Sequence, residues 1–145
     1  MKPCLVDVNL WLALLVRQHE HHKLALKWFD RLAAQEAGIC RVVQLAVIRL
    51  LANRSILGEH TLSAHAAWDL IAKLLEDERV AFAAEPQEID SVFPTFLKYS
   101  FPTGKLVGDA YLAAFSVCDS RRLVTLDSGF RQFRGLDLDL LTQPH

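Results

Sequence analysis

Short apolar runs of strand length alternate with longer stretches of helical periodicity along the whole chain, and this alternation most restricts the fold. Lys2 to Asp7 reads as a first strand, an apolar run closed by a carboxylate, with Asn9 as the N-cap of a helix over Leu10 to Leu15. Arg17 to His22 breaks the pattern. Ala25, Trp28, Phe29, Leu32 and Ala33 then recur at spacings of three and four, which makes one helical face, and Gly38 follows as its stop. Ile39 to Val42 is a second strand leading into an aliphatic helix from Gln44 to Asn53. From Ser63 onward Ala64, Ala67, Trp68, Ile71, Leu74 and Leu75 share a face, and Arg79 to Ala84 is the third strand. Pro86 suits a first helical position. The stripe Ile89, Val92, Phe93, Phe96 and Leu97 follows, with a kink or break expected near Phe93 because Pro94 lacks a backbone donor. Ser100 to Lys105 is turn-rich. Leu106 to Cys118 reads as a helix with Ala110, Ala113, Ala114 and Val117 inward. Leu123 to Thr125 is a short strand before Asp127, and Leu138 to Leu141 adds an edge strand.

Strands alternating with amphipathic helices predict an α/β fold: three layers, α/β/α, around a central, mostly parallel sheet of four or five strands. With 145 residues, 52% of them hydrophobic, the chain has enough material for one substantial core, so 1–145 is expected to be a single domain. A formal net charge of -1 gives no global attraction to polyanions, so such a partner has to be held by a local patch or a metal ion. Cys4, Cys40 and Cys118 are odd in number, far apart and set among aliphatic residues, which predicts buried thiols in a reducing cytoplasm. Met1-Lys2-Pro3 is too short to lead a signal peptide, and no apolar run approaches the roughly 20 residues that span a bilayer. A soluble cytoplasmic protein, away from membranes, is expected.

In open parallel sheets ligands bind beyond the carboxyl ends of the strands. That rule singles out Asp7 after the first strand, Asp127 after the strand at Leu123 to Thr125, and Asp109 in the first turn of the preceding helix. Burying an unpaired carboxylate costs several kcal/mol or forces it to take a proton. Three in one pocket stay ionised only beside a compensating charge, most simply a hard divalent cation such as Mg2+ or Mn2+ bound through oxygen. Such an ion activates water and polarises a phosphoryl group, the chemistry of phosphodiester hydrolysis. Taken singly, Asp109 and Asp127 also fit as helix or turn caps. Only the trio at strand ends points to a site.

Leu5-Val6-Asp7-Val8-Asn9, then Gly108-Asp109-Ala110-Tyr111-Leu112-Ala113-Ala114, then Leu123-Val124-Thr125-Leu126-Asp127-Ser128-Gly129-Phe130 resemble, in order and spacing, the three acidic motifs of the PIN-domain ribonucleases. More narrowly the chain resembles the VapC toxins of bacterial toxin-antitoxin pairs, including Cys40 to Leu45 followed by Ile48-Arg49-Leu50-Leu51. The resemblance implies an Mg2+- or Mn2+-dependent endoribonuclease with Asp7, Asp109 and Asp127 as catalytic, metal-binding residues. It further implies Asn9 and Thr125 as polar supports, RNA as substrate, and a small antitoxin protein as inhibitor. Two positions depart from the family pattern. Ala46 stands three residues before Arg49 where many members carry Glu, and Gly129 stands two after Asp127 where a second acid often follows. Fewer carboxylates imply weaker metal binding or one ion in place of two. Gln44 is a further site candidate as a neutral oxygen donor, with helix capping as its other reading.

Other groups are weighed against the same site. His19, His21 and His22 read as solvated polar residues at a loop-to-helix junction and are excluded from it. Lys98, Lys105, Arg121, Arg122, Arg131 and Arg134 are set near the cleft as candidate phosphate contacts, although a solvated face explains them equally well. Trp11, Trp28 and Trp68 suit a core or an interface, and Tyr111 is kept open for the substrate. Spare apolar surface on the helices between Ala25 and Leu75 predicts a homodimer. The alternative function is a non-catalytic binding member with a depleted acidic site. A phosphoacceptor with Asp7 as nucleophile is disfavoured because no lysine follows strands two to four.

Overall fold

Five short strands, all parallel, form one sheet in the computed structural model, which describes residues 2–98 and 104–142. They are β1 (Cys4–Val6), β2 (Ala37–Ile39), β3 (Val80–Phe82), β4 (Arg122–Thr125) and β5 (Leu138–Leu140), in the order β3-β2-β1-β4-β5. The described α-helices are α1 (Val8–Leu15), α2 (His22–Asp30), α3 (Arg41–Leu51), α4 (Arg54–Leu57), α5 (Ala64–Leu74), α6 (Ile89–Phe96) and α7 (Gly104–Cys118). Burial follows position in the sheet. Central β1 is Cys-Leu-Val and wholly buried, whereas edge strand β5 is Leu-Asp-Leu and half-buried. A parallel strand needs a long crossover, and right-handed crossovers put consecutive connections made in one direction on one face. The connections from β1 through β3 therefore share a face, where α1 packs on α2 and α3, and α3 on α5. The return to β4 reverses direction and places α6 and α7 on the other face, with α7 over β4 and β1. The three-layer α/β/α expectation holds.

Several local expectations change. Gly38 does not stop the second helix; α2 ends at Asp30 and Gly38 lies inside β2. A Cβ there would come within 2.6 Å of an Arg121 guanidinium nitrogen and 2.8 Å of the Cys4 carbonyl oxygen, so close approach demands glycine. Strand β2 ends at Ile39, and Val42 and Val43 are already helical. Helix α6 continues through Pro94 to Phe96 without a break; Pro94 is exposed, so water can reach the backbone its ring leaves unpaired. Val117 is exposed, and the buried residues of α7 are Leu106, Ala110 and Leu112 to Ser116. Within the expected turn, Ser100 to Thr103 lie outside the described residues, and Gly104 and Lys105 belong to α7. Trp11 is fully buried and meets Trp28 edge to face at 5.9 Å, while Trp68 is exposed. Cys4 and Cys40 are buried and Cys118 is half-buried, all three as free thiols. Among the described residues no helix is long and apolar enough to cross a membrane.

Candidate functional site

The strand order reverses direction between β1 and β4, and the crevice beyond the carboxyl ends of such a pair is where open α/β sheets bind ligands. The register pairs Val6 with Val124, so the next residues, Asp7 and Thr125, stand level across that crevice. Their side chains meet: the Thr125 hydroxyl donates to Asp7 Oδ2 at 2.7 Å, and the other carboxylate oxygen, Oδ1, accepts from Val8 N at 2.7 Å. Asp7, and not Asn9, is thus the N-cap of α1. Burial pushes the Asp7 carboxyl above its ordinary value and the charge of Asp127 adds to this, while the Thr125 and Val8 donors and Lys105 oppose it.

Thr125 serves two carboxylate residues at once. It is fully buried, and its oxygen also accepts the backbone N–H of Asp127 at 3.0 Å. Asp127 Oδ1 accepts from Gly129 N at 2.8 Å, capping a short 3-10 turn over Ser128–Gln132, and its Oδ2 receives the Lys105 ammonium. That ammonium holds the Asp127 carboxyl below its usual value, with the Gly129 donor helping against burial. Lys105 also lies 3.6 Å from Asp109, one helical turn on along α7. Burial raises the Asp109 carboxyl to about 6; Lys105 restrains the rise, and the charges of Asp7 and Asp127 add to it. The capping expectation holds for Asp127 and not for Asp109, which lies inside α7. In Asp7 and Asp127 one oxygen caps and the other faces a site partner, so the two roles coexist.

Among the described residues no three His, Cys, Asp or Glu side chains stand close enough to hold an ion as they are. The donor chemistry nevertheless fits a hard divalent cation. Asp7, Asp109 and Asp127 carry hard oxygen donors whose charges act on one another, and Lys105 already supplies a positive charge beside two of them.

The remaining candidates separate. Asn9 is exposed on the first turn of α1 and, with Leu126, Asp127 and Ser128, lines a depression of about 430 Å³. Gln44 is buried in the first turn of α3, where its side-chain oxygen accepts from Arg41. Tyr111 sends its hydroxyl to Glu85, with its ring edge-on to Phe93 at 5.5 Å. Arg121 and Arg122 belong to the opposite edge of the sheet, because they precede and open β4; Arg121 donates to the Cys4 carbonyl at 3.2 Å and Arg122 lies 3.8 Å from Asp137. Lys105 is the lysine that sequence reasoning placed in no such role. It arrives from the head of a helix and not from a strand end, and its spacing of four from Asp109 is the local signal that marks it. Of the three histidines that the sequence excludes from the site, His19 and His21, together with Glu20, complete the lining of the 430 Å³ depression beside Asp127, and His22 is not part of it. No local pattern marks them, since only the sheet order brings their loop to β4.

Comparison with known proteins agrees with this fold. The PIN domain family model matches residues 4–136. Ribonuclease VapC41 of Mycobacterium tuberculosis is 38% identical over 144 residues, covering 96% of this chain and 99% of its own. The crystal structure of M. tuberculosis VapC20, a Sarcin-Ricin loop cleaving toxin, superposes with a TM-score of 0.66 at 16% identity, over 92% of this chain and 97% of that one. A toxin-antitoxin complex from Klebsiella pneumoniae superposes with a TM-score of 0.63 at 13% identity, over 97% and 99%. At those identities the structures speak for the fold, and the sequence relatives for the family. With its acidic residues gathered at the switch point of a five-stranded parallel sheet, the chain belongs to the PIN-domain family and, within it, to the VapC ribonucleases.

Proposed function

We propose that the protein is the toxin of a toxin-antitoxin module, an Mg2+- or Mn2+-dependent endoribonuclease acting in the cytoplasm with Asp7, Asp109 and Asp127 as catalytic metal ligands. The observation that carries this reading is the Thr125 hydroxyl, which links Asp7 and Asp127 across the switch point and holds two carboxylates of distant sequence at one crevice. A divalent ion bound there supplies positive charge for the phosphodiester and lowers the pKa of water for in-line attack. The chain's own residues supply the orientation. Thr125 and Val8 N fix both oxygens of Asp7, and Gly129 N fixes one oxygen of Asp127, so these carboxylates are aimed before any ligand arrives. Asp109, raised to about 6, gives up its proton near neutral pH and adds negative charge to the cluster. Lys105 neutralises the cluster, and an ion held by the same carboxylates would take over that charge. Gln44, held by Arg41, acts as support for the same edge and not as a ligand. Similarity to the Klebsiella complex supports a small antitoxin as partner, and exposed Leu26, Val42, Leu45 and Trp68 support a homodimer.

The test is incubation of purified protein with mixed RNAs in Mg2+ or Mn2+, with chelator, and as Asp7→Asn. Metal-dependent cleavage abolished by the substitution is expected. Cleavage indifferent to both treatments sinks the mechanism, and absent cleavage with absent metal binding favours the non-catalytic binding member.

A further inference from the structure

We propose that the depression beside Asp127 is a nucleotide subsite, which takes one unstacked base and its ribose adjoining the phosphodiester to be cut; this rests on the ribonuclease reading. Asp127 belongs both to the carboxylate cluster and to the lining, so whatever fills the depression abuts the proposed reaction centre. Its volume of about 430 Å³ lies within the roughly 300–1,000 Å³ of small-ligand sites. Its charge selects the part of the RNA it suits. Glu20 and Asp127 are the charged residues of the lining, apart from any charge on the histidines, and Asp127 is already paired with Lys105. No Lys or Arg is among the lining residues, so the depression offers a phosphate no cation of its own, whereas a neutral base needs none.

The two imidazoles give the base a surface. The rings of His19 and His21 stand 5.7 Å apart at 43°, and sequence-specific RNA sites splay bases out to stack on such side chains. His19 is also locked in place: its Nδ1 accepts the backbone N–H of His21 at 3.0 Å, so the neutral ring carries its proton on Nε2. Burial, with His21 close by, lowers the His19 pKa and favours that neutral ring. Asn9 and Ser128, both exposed in the lining, offer an amide and a hydroxyl to a base edge.

The test uses the Asp7→Asn protein, which separates binding from cleavage, and short single-stranded RNAs in which 2-aminopurine is stepped along the sequence. One position is expected to change fluorescence on binding, and His19→Ala with His21→Ala should abolish that change and weaken binding about tenfold. His19→Asn guards against misfolding, because its side-chain oxygen keeps the loop hydrogen bond while the ring is lost; it should reproduce the alanine result, and made in the protein with Asp7 intact it should leave Mn2+ affinity unaltered. In the cleaving protein the same loop substitutions should raise KM and flatten base preference at one flanking position. RNA binding and 2-aminopurine signals that are identical in the loop variants overturn the subsite alone. Failure of the parent protein to bind or cut any RNA overturns the ribonuclease reading with it.

Discussion

At the scale of single residues, Thr125 does the most with the fewest atoms. One hydroxyl donates to a buried carboxylate and accepts from the backbone of a second acidic residue, so removing it strips a donor from Asp7. Thr125→Val should cost about 1–3 kcal/mol, read as a lower Tm, because an unsatisfied buried group carries its full desolvation penalty. Thr125→Ser should recover most of it. Asp109 sets a pH dependence whose sign follows from burial. Its folded pKa of about 6 lies above the unfolded 3.8, so the native state holds the extra proton between those values. Stability without metal should therefore fall as pH rises through that window, and Mn2+ affinity should rise over the same range as the ligand loses its proton. Thermal melts with and without Mn2+, with Asp109→Asn as the control that removes Asp109's share, check both halves. Asp7 and Asp127 were legible as candidates because carboxylates after apolar strands are rare and costly, and Asp109 because it lies in the helix that leads to the second of those strands. The contact of Lys105 with Asp127 was not legible, because a long cation at a helix head reaches in several directions and sequence does not choose among them.

At the scale of elements, β2 shows how a short strand is held by what it lacks. Gly38 lets the Arg121 side chain and the Cys4 carbonyl close in on its Cα, and Gly38→Ala should weaken the β1–β2 pairing by about 1–3 kcal/mol, measured as a drop in Tm. The sequence presented this glycine as a helix stop, since a glycine after a periodic stretch carries the same local signature whether it ends a helix or enters a strand. Helix α7 carries the other element-scale prediction. Lys105 and Asp109, one turn apart, tie its first two turns to the Asp127 loop, and the ammonium occupies carboxylates that an ion would take. Lys105→Met should tighten Mn2+ binding about tenfold by calorimetry, since the incoming ion no longer displaces an internal cation. Unchanged or weaker binding would show that Lys105 aims the carboxylates instead of competing for them.

At the scale of the whole molecule, the proposed ligands come from the start of the chain and from its last third, with Asp7 and its partner Thr125 118 residues apart. An ion that binds only the folded arrangement should stabilise all of it: at a hundredfold excess over its Kd the gain is about 2.7 kcal/mol, visible as a rise in Tm that Asp7→Asn removes. By itself the sequence determined the layer architecture and a mostly parallel sheet of four or five strands, and it singled out three candidate carboxylates, because periodicity and apolar runs are local properties that follow the chain. It did not determine which residues face one another. Only the tertiary structure sent Arg121 and Arg122 to the far edge, laid Lys105 on Asp127, and brought the His19–His21 loop to the same depression as Asp127. The physical reason is the strand order β3-β2-β1-β4-β5, in which the reversal between β1 and β4 makes neighbours of segments that no local pattern connects.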